Sequence, residues 1–395
     1  MVITGIGVIS PLNTDGDPER FWAALRSGET AVREIRSFDA SAYACRVAAE
    51  IPREVLSCED TWADPAMRMA QIAFDRALRD ARFIPGDYAP GRAGIVVGTV
   101  LGGILSGERY LRTAGADPVR DRTLLRHYPL RAVAAALARP GFSGPVLTVS
   151  TACASGTDAI GIAFRNILDG RADAFVAGGV DAVNEFAFSG FCALNALTPG
   201  VVRPFSRDRS GLAPGEGAAF LVLEREKAAM RRGARILGRV AGYASVSDAT
   251  HLTAPHRDGR GLSDAASRAL REAGMAAAEV DYVNAHGTGT LYNDWMETKA
   301  LKTAFGAHAA DVPVSSIKAV LGHAFGGAGA MEAVACLLAM RDGVVPPTAN
   351  FRESDPECDI DCVPNRERRV KVRTALSLSA GFGGQNSALL LRGDG

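Results

Sequence analysis

The chain has 395 residues, with 44 Lys+Arg against 44 Asp+Glu, 47% hydrophobic and 22% charged residues. That composition belongs to a packed globular protein of two or three units or one double-layered body, and it excludes a disordered chain. Zero formal charge removes the simplest reason to expect nucleic acid or an anionic membrane as the main partner.

In chain order, short apolar runs followed by glycines read as buried strands, and 3.6-periodic stretches between them read as helices. Val2–Thr4 is the first strand, and Pro18–Ser27 and Met67–Ala81 are helical. Strand Gly94–Val97, helix Leu130–Ala138, strand Val146–Val149, helix Thr157–Asp169 and strand Ala174–Ala177 follow. Ala218–Leu223 precedes a charged helix, EREKAAMRRG, over Glu224–Gly233. Beyond it come strand Arg239–Val246, helix Ser263–Ala273, strand Val280–Asn284, helix Trp295–Phe305, strand Val312–Ser315 and helix Ala328–Arg341. Val345–Pro364 reads as a long surface loop, and Ala375–Ser379 and Ser387–Leu391 are the last strands.

Alternating strands and helices predict an α/β protein with a largely parallel sheet covered on both faces. The pattern also hints at duplication. Strand, glycine-rich turn and helix occur as GIVVGTVLGG and VLTVSTACASG, then again as VDYVNAHGTGT and VPVSSIKAVLGH. The charged helix is the seam, giving halves 1–226 and 227–395.

No run approaches 18 apolar residues, and the opening VITGIGVIS has no basic leader, so neither a membrane span nor a secretory signal is expected. The seven cysteines, Cys45, Cys58, Cys153, Cys192, Cys336, Cys358 and Cys362, contain no CxxC pair. A disulfide framework or thiolate zinc site is not expected, and a reducing cytoplasm is.

Three strand-end turns carry reactive side chains. Cys153, in LTVSTACASGTDAIG, sits between a strand and a helix start, where free N–H groups and the helix dipole favour a thiolate. His286, in VNAHGTGT, and His323, in SSIKAVLGHAFGG, occupy equivalent turns. Ligands in parallel sheets gather at strand carboxyl ends, so the three converge on one site. Taken singly, each has a plain alternative: a buried structural cysteine, or a histidine that caps its turn. Lys318 and Glu332 flank His323 and can pair, and glycines around Phe382 suggest a turn whose N–H faces a cavity. His286 and His323 lie too far apart in sequence for a short zinc-ligand pair, so no metal is expected.

Eight pieces in order carry a resemblance: TGIGVISPL, STACASGTDAIG, AGGVDAV, RPFSRDRSGLAPGEGAAFLVLE, VNAHGTGT, VSSIKAVLGHAFGGAGAMEA, VVPPTAN and AGFGGQN. Over nearly its whole length the chain resembles the β-ketoacyl-[acyl-carrier-protein] synthases of type II fatty-acid and polyketide systems. The resemblance implies a thiolase-like fold, two similar halves in a five-layer αβαβα body. It implies decarboxylative condensation of a malonyl group with an acyl chain on Cys153, assisted by His286 and His323 and supported by Lys318 and Glu332. Phe382 becomes the gate whose N–H joins that of Cys153 as an oxyanion hole, and Thr288 and Thr290 hold pantetheine. No cofactor of its own is implied, because the substrate rides on the phosphopantetheine of acyl carrier protein. The implied partners are that carrier and a second subunit, either another copy or a chain-length-factor-like chain.

YNDWMET and SDPECDIDCVP look more like the polyketide branch, polyenes included, than the fatty-acid one. Gly107 and Phe191 are expected to line the acyl pocket, with Gly107 leaving it roomier. Asn195 falls where a basic docking residue is common, which leaves Arg68, Arg120, Arg122, Arg126, Arg203 and Arg207 as candidates for docking an acidic carrier. Two other functions compete. A thiolase acting on acyl-CoA would carry a second cysteine where AGFGGQN has Phe382, and a non-catalytic chain-length-factor-like subunit would lack Cys153.

Overall fold

A computed structural model describes residues 1–57 and 63–393; Cys58 lies outside them. Ten strands form one sheet system: β1 (Val2–Ile9), β2 (Ala93–Gly98), β3 (Val146–Val149), β4 (Ala174–Asp181), β5 (Gly217–Glu224), β6 (Gly238–Ser247), β7 (Tyr282–Asn284), β8 (Val314–Ser315), β9 (Thr374–Gly381) and β10 (Gln385–Arg392). Their spatial order is β8-β7-β9-β10-β6-β1-β5-β4-β2-β3.

The order repeats. Numbered within its own set of five, each half runs third-second-fourth-fifth-first. The directions repeat too. β2 is parallel to β3 and β4, as β7 is to β8 and β9. β5 runs antiparallel to β4 and β1, as β10 does to β9 and β6. The sets meet where Val2 and Ile3 of β1 pair with Arg239 and Gly238 of β6. The sheet is therefore mixed and not largely parallel. A short turn, Phe382–Gly384, folds β10 back on β9 as a hairpin, and an apolar run does not reveal its own direction.

Five layers result. The helix α1 (Pro65–Ala81), started by the Asp64 side chain accepting the Ala66 N–H with Pro65 at the first position, covers the outer face of the first set. The helix α2 (Ser155–Leu168) and the helix α3 (Ala328–Asp342) lie between the two sets, touching strands of both and each other. The helix α4 (Arg260–Ala273) covers the outer face of the second set, with Leu291–Phe305 beside it. One core joins the halves through Ile160, Phe164, Tyr282 and Leu337. Two outer cores centre on Phe74 with Phe220 and on Leu262 with Leu390.

The structure adds helices at Ile104–Thr113, Pro118–His127 and Glu185–Ala193 that periodicity does not announce. Apolar Leu111 and Val119 of the first two point outward, 81% and 77% exposed, and of their leucines only Leu124 is fully buried, so no continuous inward stripe marks them. The Val345–Pro364 segment is largely irregular; its middle lies on the surface, with Arg352, Glu353, Ser354, Pro356 and Glu357 exposed, but its ends are not surface loop: Val345, Thr348, Ala349, Cys358, Cys362 and Val363 are buried. Its Thr348 Oγ1 accepts the Ser316 N–H at 3.1 Å, so it props the chain that leads to Lys318. Among the described residues no helix is long and apolar enough to cross a membrane.

Candidate active site

β3 stops at Val149 and α2 starts at Ser155. The intervening elbow is closed by its own bonds. The Thr151 N–H donates to Ser155 Oγ at 2.9 Å, and that hydroxyl donates to the Ala152 carbonyl. Ala152 takes φ +50°, backbone strain of the kind that gathers at functional turns. Cys153 is thereby held on a sharp bend, 8% exposed.

The histidines are positioned by buried carboxylates and backbone. Glu297 accepts the N–H groups of His286 at 2.6 Å and Gly287 at 2.7 Å. The His323 N–H donates to the Ala213 carbonyl at 2.8 Å, and its own carbonyl accepts the Gly215 N–H at 2.9 Å. Asp181 accepts the Gly326 N–H at 2.7 Å just beyond. Ser316 Oγ donates to the Gly287 carbonyl at 2.6 Å and ties the two histidine loops together. The two imidazoles stand 5.2 Å apart and nearly perpendicular, at 84°. Among the described residues neither ring nitrogen of His323, nor Nδ1 of His286, has a hydrogen-bond partner.

Cys153, His286, His323, Phe382, Thr288, Thr290 and Phe191 all line one cavity of about 510 Å³. Lys318 and Glu332 lie behind it, buried and ion-paired. The hydroxyls of Thr288 and Thr290 bond each other at 2.8 Å. Phe191 stacks between Phe382 and Phe325, at 5.3 and 5.5 Å. Asn195 also lines the cavity. Gly107 does not: a Cβ there would sit 2.6 Å from Cδ2 of Tyr128. The Tyr128 ring already fills the room that a missing side chain was expected to leave. A larger depression of about 910 Å³ holds none of these groups; its Arg76, Arg235 and Arg341 already pair with Asp17, Asp80 and Glu19.

Burial dominates the electrostatics. It pushes the Cys153 thiol up to about 12, against the pull of the Lys318 charge and of the Phe382 and Cys153 N–H groups. Burial thus works against the thiolate expected from the helix end and favours a resting thiol. Burial and Lys318 hold both imidazoles well below the ordinary histidine range, and the His323 ring adds to this at His286. Neutral imidazoles beside a thiol can take its proton as it attacks, and can donate hydrogen bonds to an oxygen that gains charge.

Sequence reasoning passed over Asp181 and Glu297, raised by burial to about 6 and about 7. It also passed over Asp294, which accepts the Phe205 N–H at 2.7 Å. The acidic pair in NDWMET, three residues apart just past the histidine turn, was the available signal. Nothing in AGGVDAV marks Asp181.

Residues 1–229 match the family model described as "Beta-ketoacyl synthase, N-terminal domain", and residues 237–352 match "Beta-ketoacyl synthase, C-terminal domain". The tetracenomycin polyketide synthase ketoacyl synthase alpha subunit of Streptomyces glaucescens is 40% identical over 412 residues, covering 99% of this chain and 96% of the relative. Among solved structures, the ishigamide ketosynthase/chain length factor superposes with a TM-score of 0.91 at 38% identity, covering 100% of this chain and 99% of the other. A type II ketosynthase bound to the hexaketide, in complex with its acyl-carrier protein, superposes with a TM-score of 0.90 at 32% identity, covering 100% and 99%.

Two measurements check the electrostatics. The rate of Cys153 alkylation by iodoacetamide is expected to rise about tenfold per pH unit from about pH 7 to about pH 9.5, without a plateau. Levelling near neutrality would show a resting thiolate instead. Lys318→Met leaves Glu332 buried without its partner and is expected to lower stability by about 3–5 kcal/mol in urea unfolding, with much of that recovered by adding Glu332→Gln.

Proposed function

The chain belongs to the β-ketoacyl synthase family, and we propose that it is a working condensing enzyme whose nucleophile is Cys153 and whose acid-base and hydrogen-bonding groups are His286 and His323. The observation that carries this is the meeting of the Cys153 thiol and two neutral imidazoles in one cavity.

An acyl chain arrives as the thioester of an acyl carrier protein, its pantetheine held by the hydroxyls of Thr288 and Thr290. Cys153 Sγ attacks the carbonyl as its proton passes to an imidazole. The negative oxygen meets the N–H groups of Cys153 and Phe382, and the carrier's sulfur leaves with a proton. Malonyl carrier then enters. Its C–C bond breaks, CO₂ leaves, and the enolate oxygen takes hydrogen bonds from the imidazole N–H groups. The carbanion carbon attacks the acyl carbonyl, the C–S bond breaks, and the released Cys153 thiolate takes up one proton from solvent to return to the thiol. Lys318 contributes at a distance: its charge adds to burial in keeping the imidazoles neutral, so they donate without first being protonated. The enzyme brings no cofactor or metal of its own to these steps.

Two readings compete with this one. Phe382 occupies the turn where a thiolase acting on acyl-CoA would need a second cysteine. A chain-length-factor-like subunit lacks the nucleophile, and Cys153 is present on a strained elbow. The alpha-subunit relative favours a polyketide pathway over a fatty-acid one. We assign residues 1–226 as the nucleophile half, 227–395 as the histidine half, and the reducing cytoplasm as the place of action.

A second subunit, either another copy or a chain-length-factor-like chain, fits the surface. β3 is the terminal strand of the sheet, with Val146 and Leu147 39% and 37% exposed. An uncovered apolar edge of this kind invites pairing with another chain. The carrier needs cationic contacts. Of the candidate arginines, Arg120, Arg203 and Arg207 already pair with acids, Arg68 is half-buried, and Arg122 and Arg126 are exposed.

Cys153→Ala is expected to abolish acylation in intact-protein mass spectrometry; acylated variant at the wild-type rate would remove the nucleophile assignment. His286→Ala and His323→Ala should each slow malonyl decarboxylation about 100-fold or more while carrier affinity stays within about twofold. Leu147→Asp should convert a dimer into monomer in light scattering, and an unaltered dimer would place the interface elsewhere.

A further inference from the structure

The two N–H groups assigned to the oxyanion come from opposite halves: Cys153 before α2, and Phe382 at the end of β9. Their separation must be fixed to a few tenths of an ångström to stabilise charge that develops only in the transition state. The first turn of α2 holds a device suited to that task. Thr157 Oγ1 bonds Ser379 Oγ at 2.8 Å, and Asp158 accepts the hydroxyl of Ser387. Ser379 and Ser387 are directly opposed partners in the β9–β10 hairpin, whose turn begins with Phe382. Adjacent residues of the nucleophile helix therefore grip both strands of the hairpin that carries the second donor.

Asp158 does more than hold Ser387. Its carboxylate also accepts Thr151 Oγ1 at 2.6 Å, inside the elbow two residues before Cys153. It accepts the Tyr243 hydroxyl at 2.9 Å and Ser245 Oγ at 3.5 Å from β6. Asp158 is 2% exposed, and all four donors are neutral hydroxyls. Two close approaches make the arrangement possible. A Cβ at Gly161 would lie 2.3 Å from the Tyr243 ring, so only glycine lets that ring lie across α2 and reach Asp158. A Cβ at Gly381 would lie 3.0 Å from the Cys153 nitrogen, so glycine also lets the two donor segments come together.

We propose that Asp158, with Thr157, is a positioning residue for the oxyanion hole: it binds the elbow of Cys153 to the hairpin of Phe382 across the seam between the halves. The inference rests on the condensing-enzyme reading. A buried carboxylate among hydroxyls is a costly way to build a core. Here it supplies acceptor capacity for several donors at once, from the elbow, from β6 and from β10, which no neutral side chain matches.

The test compares two reactions of the same sulfur in the full chain. Acyl transfer from an acyl-carrier thioester passes through an oxyanion, whereas alkylation by iodoacetamide does not. Acylation is expected to fall about 100-fold in Asp158→Asn and at least about tenfold in Ser387→Ala, with alkylation in each within about threefold of wild type. Ser387→Thr, which keeps the hydroxyl, should recover most of the loss. Ser387→Ala removes one hydroxyl and keeps the inference testable if Asp158→Asn does not fold. Acylation that holds in both variants overturns the inference, as does an equal fall in acylation and alkylation, which would mean a merely structural role. Wild-type protein that is alkylated but never acylated overturns the condensing-enzyme reading itself and this inference with it, a result distinct from either of the others.

Discussion

A buried cation organises this site. Lys318, 2% exposed and paired with Glu332, lies behind both histidines and the thiol. In a region this poorly solvated its field is weakly screened. It acts with burial to keep His286 and His323 uncharged, and against burial to draw the Cys153 thiol down. One charge therefore biases the protonation of three groups, second to burial at each, without touching substrate. Glu332 makes that charge tolerable, and Ser316 and Thr348 place it, through the Ser316 Oγ bond to the Lys318 N–H at 3.3 Å and the Thr348 bond to Ser316.

Much of the architecture was legible because it obeys local rules. Each expected strand run lies within or overlaps an observed strand, and the duplicated turn pattern corresponds to a repeated strand order. What was not legible depends on partners distant in sequence. Helices Ile104–Thr113 and Pro118–His127 bury little apolar surface, leaving Leu111 and Val119 outward, so no continuous stripe announces them. Val345–Pro364 has the composition of a loop, and its middle is exposed, yet its ends lie buried between elements that meet only in three dimensions. The antiparallel β5 and β10 read, as apolar runs, just like their parallel neighbours.

The site divides the same way. Cys153, His286 and His323 could be found because rare reactive side chains stood at the ends of apolar runs. The charge state of Cys153 could not, since sequence position reveals a helix end but not the depth at which it is buried. Gly107 shows the complementary error: an absent side chain suggests space, but Tyr128, 21 positions away in the chain, takes it. Asp181 and Asp158 are single acids whose hydrogen-bond partners come largely from other elements, so no spacing rule exposes them.

The repeat also accounts for why these turns meet. β3 and β8 hold the same place in their halves, third in chain order and outermost in the sheet. The turn after β3 carries Cys153, and the chain after β8 carries Lys318 and His323. The helices that follow, α2 and α3, pack against each other between the sheets, which draws their two starts together. Duplication alone thus sets a nucleophile from one half opposite a histidine from the other, with His286 arriving from β7, the strand beside β8. Symmetry brings the turns near each other, but it cannot fix them to the precision that chemistry demands. That remaining step falls to the asymmetric contacts across the seam: Thr157 with Ser379, Asp158 with Ser387, and Asp181 with Gly326.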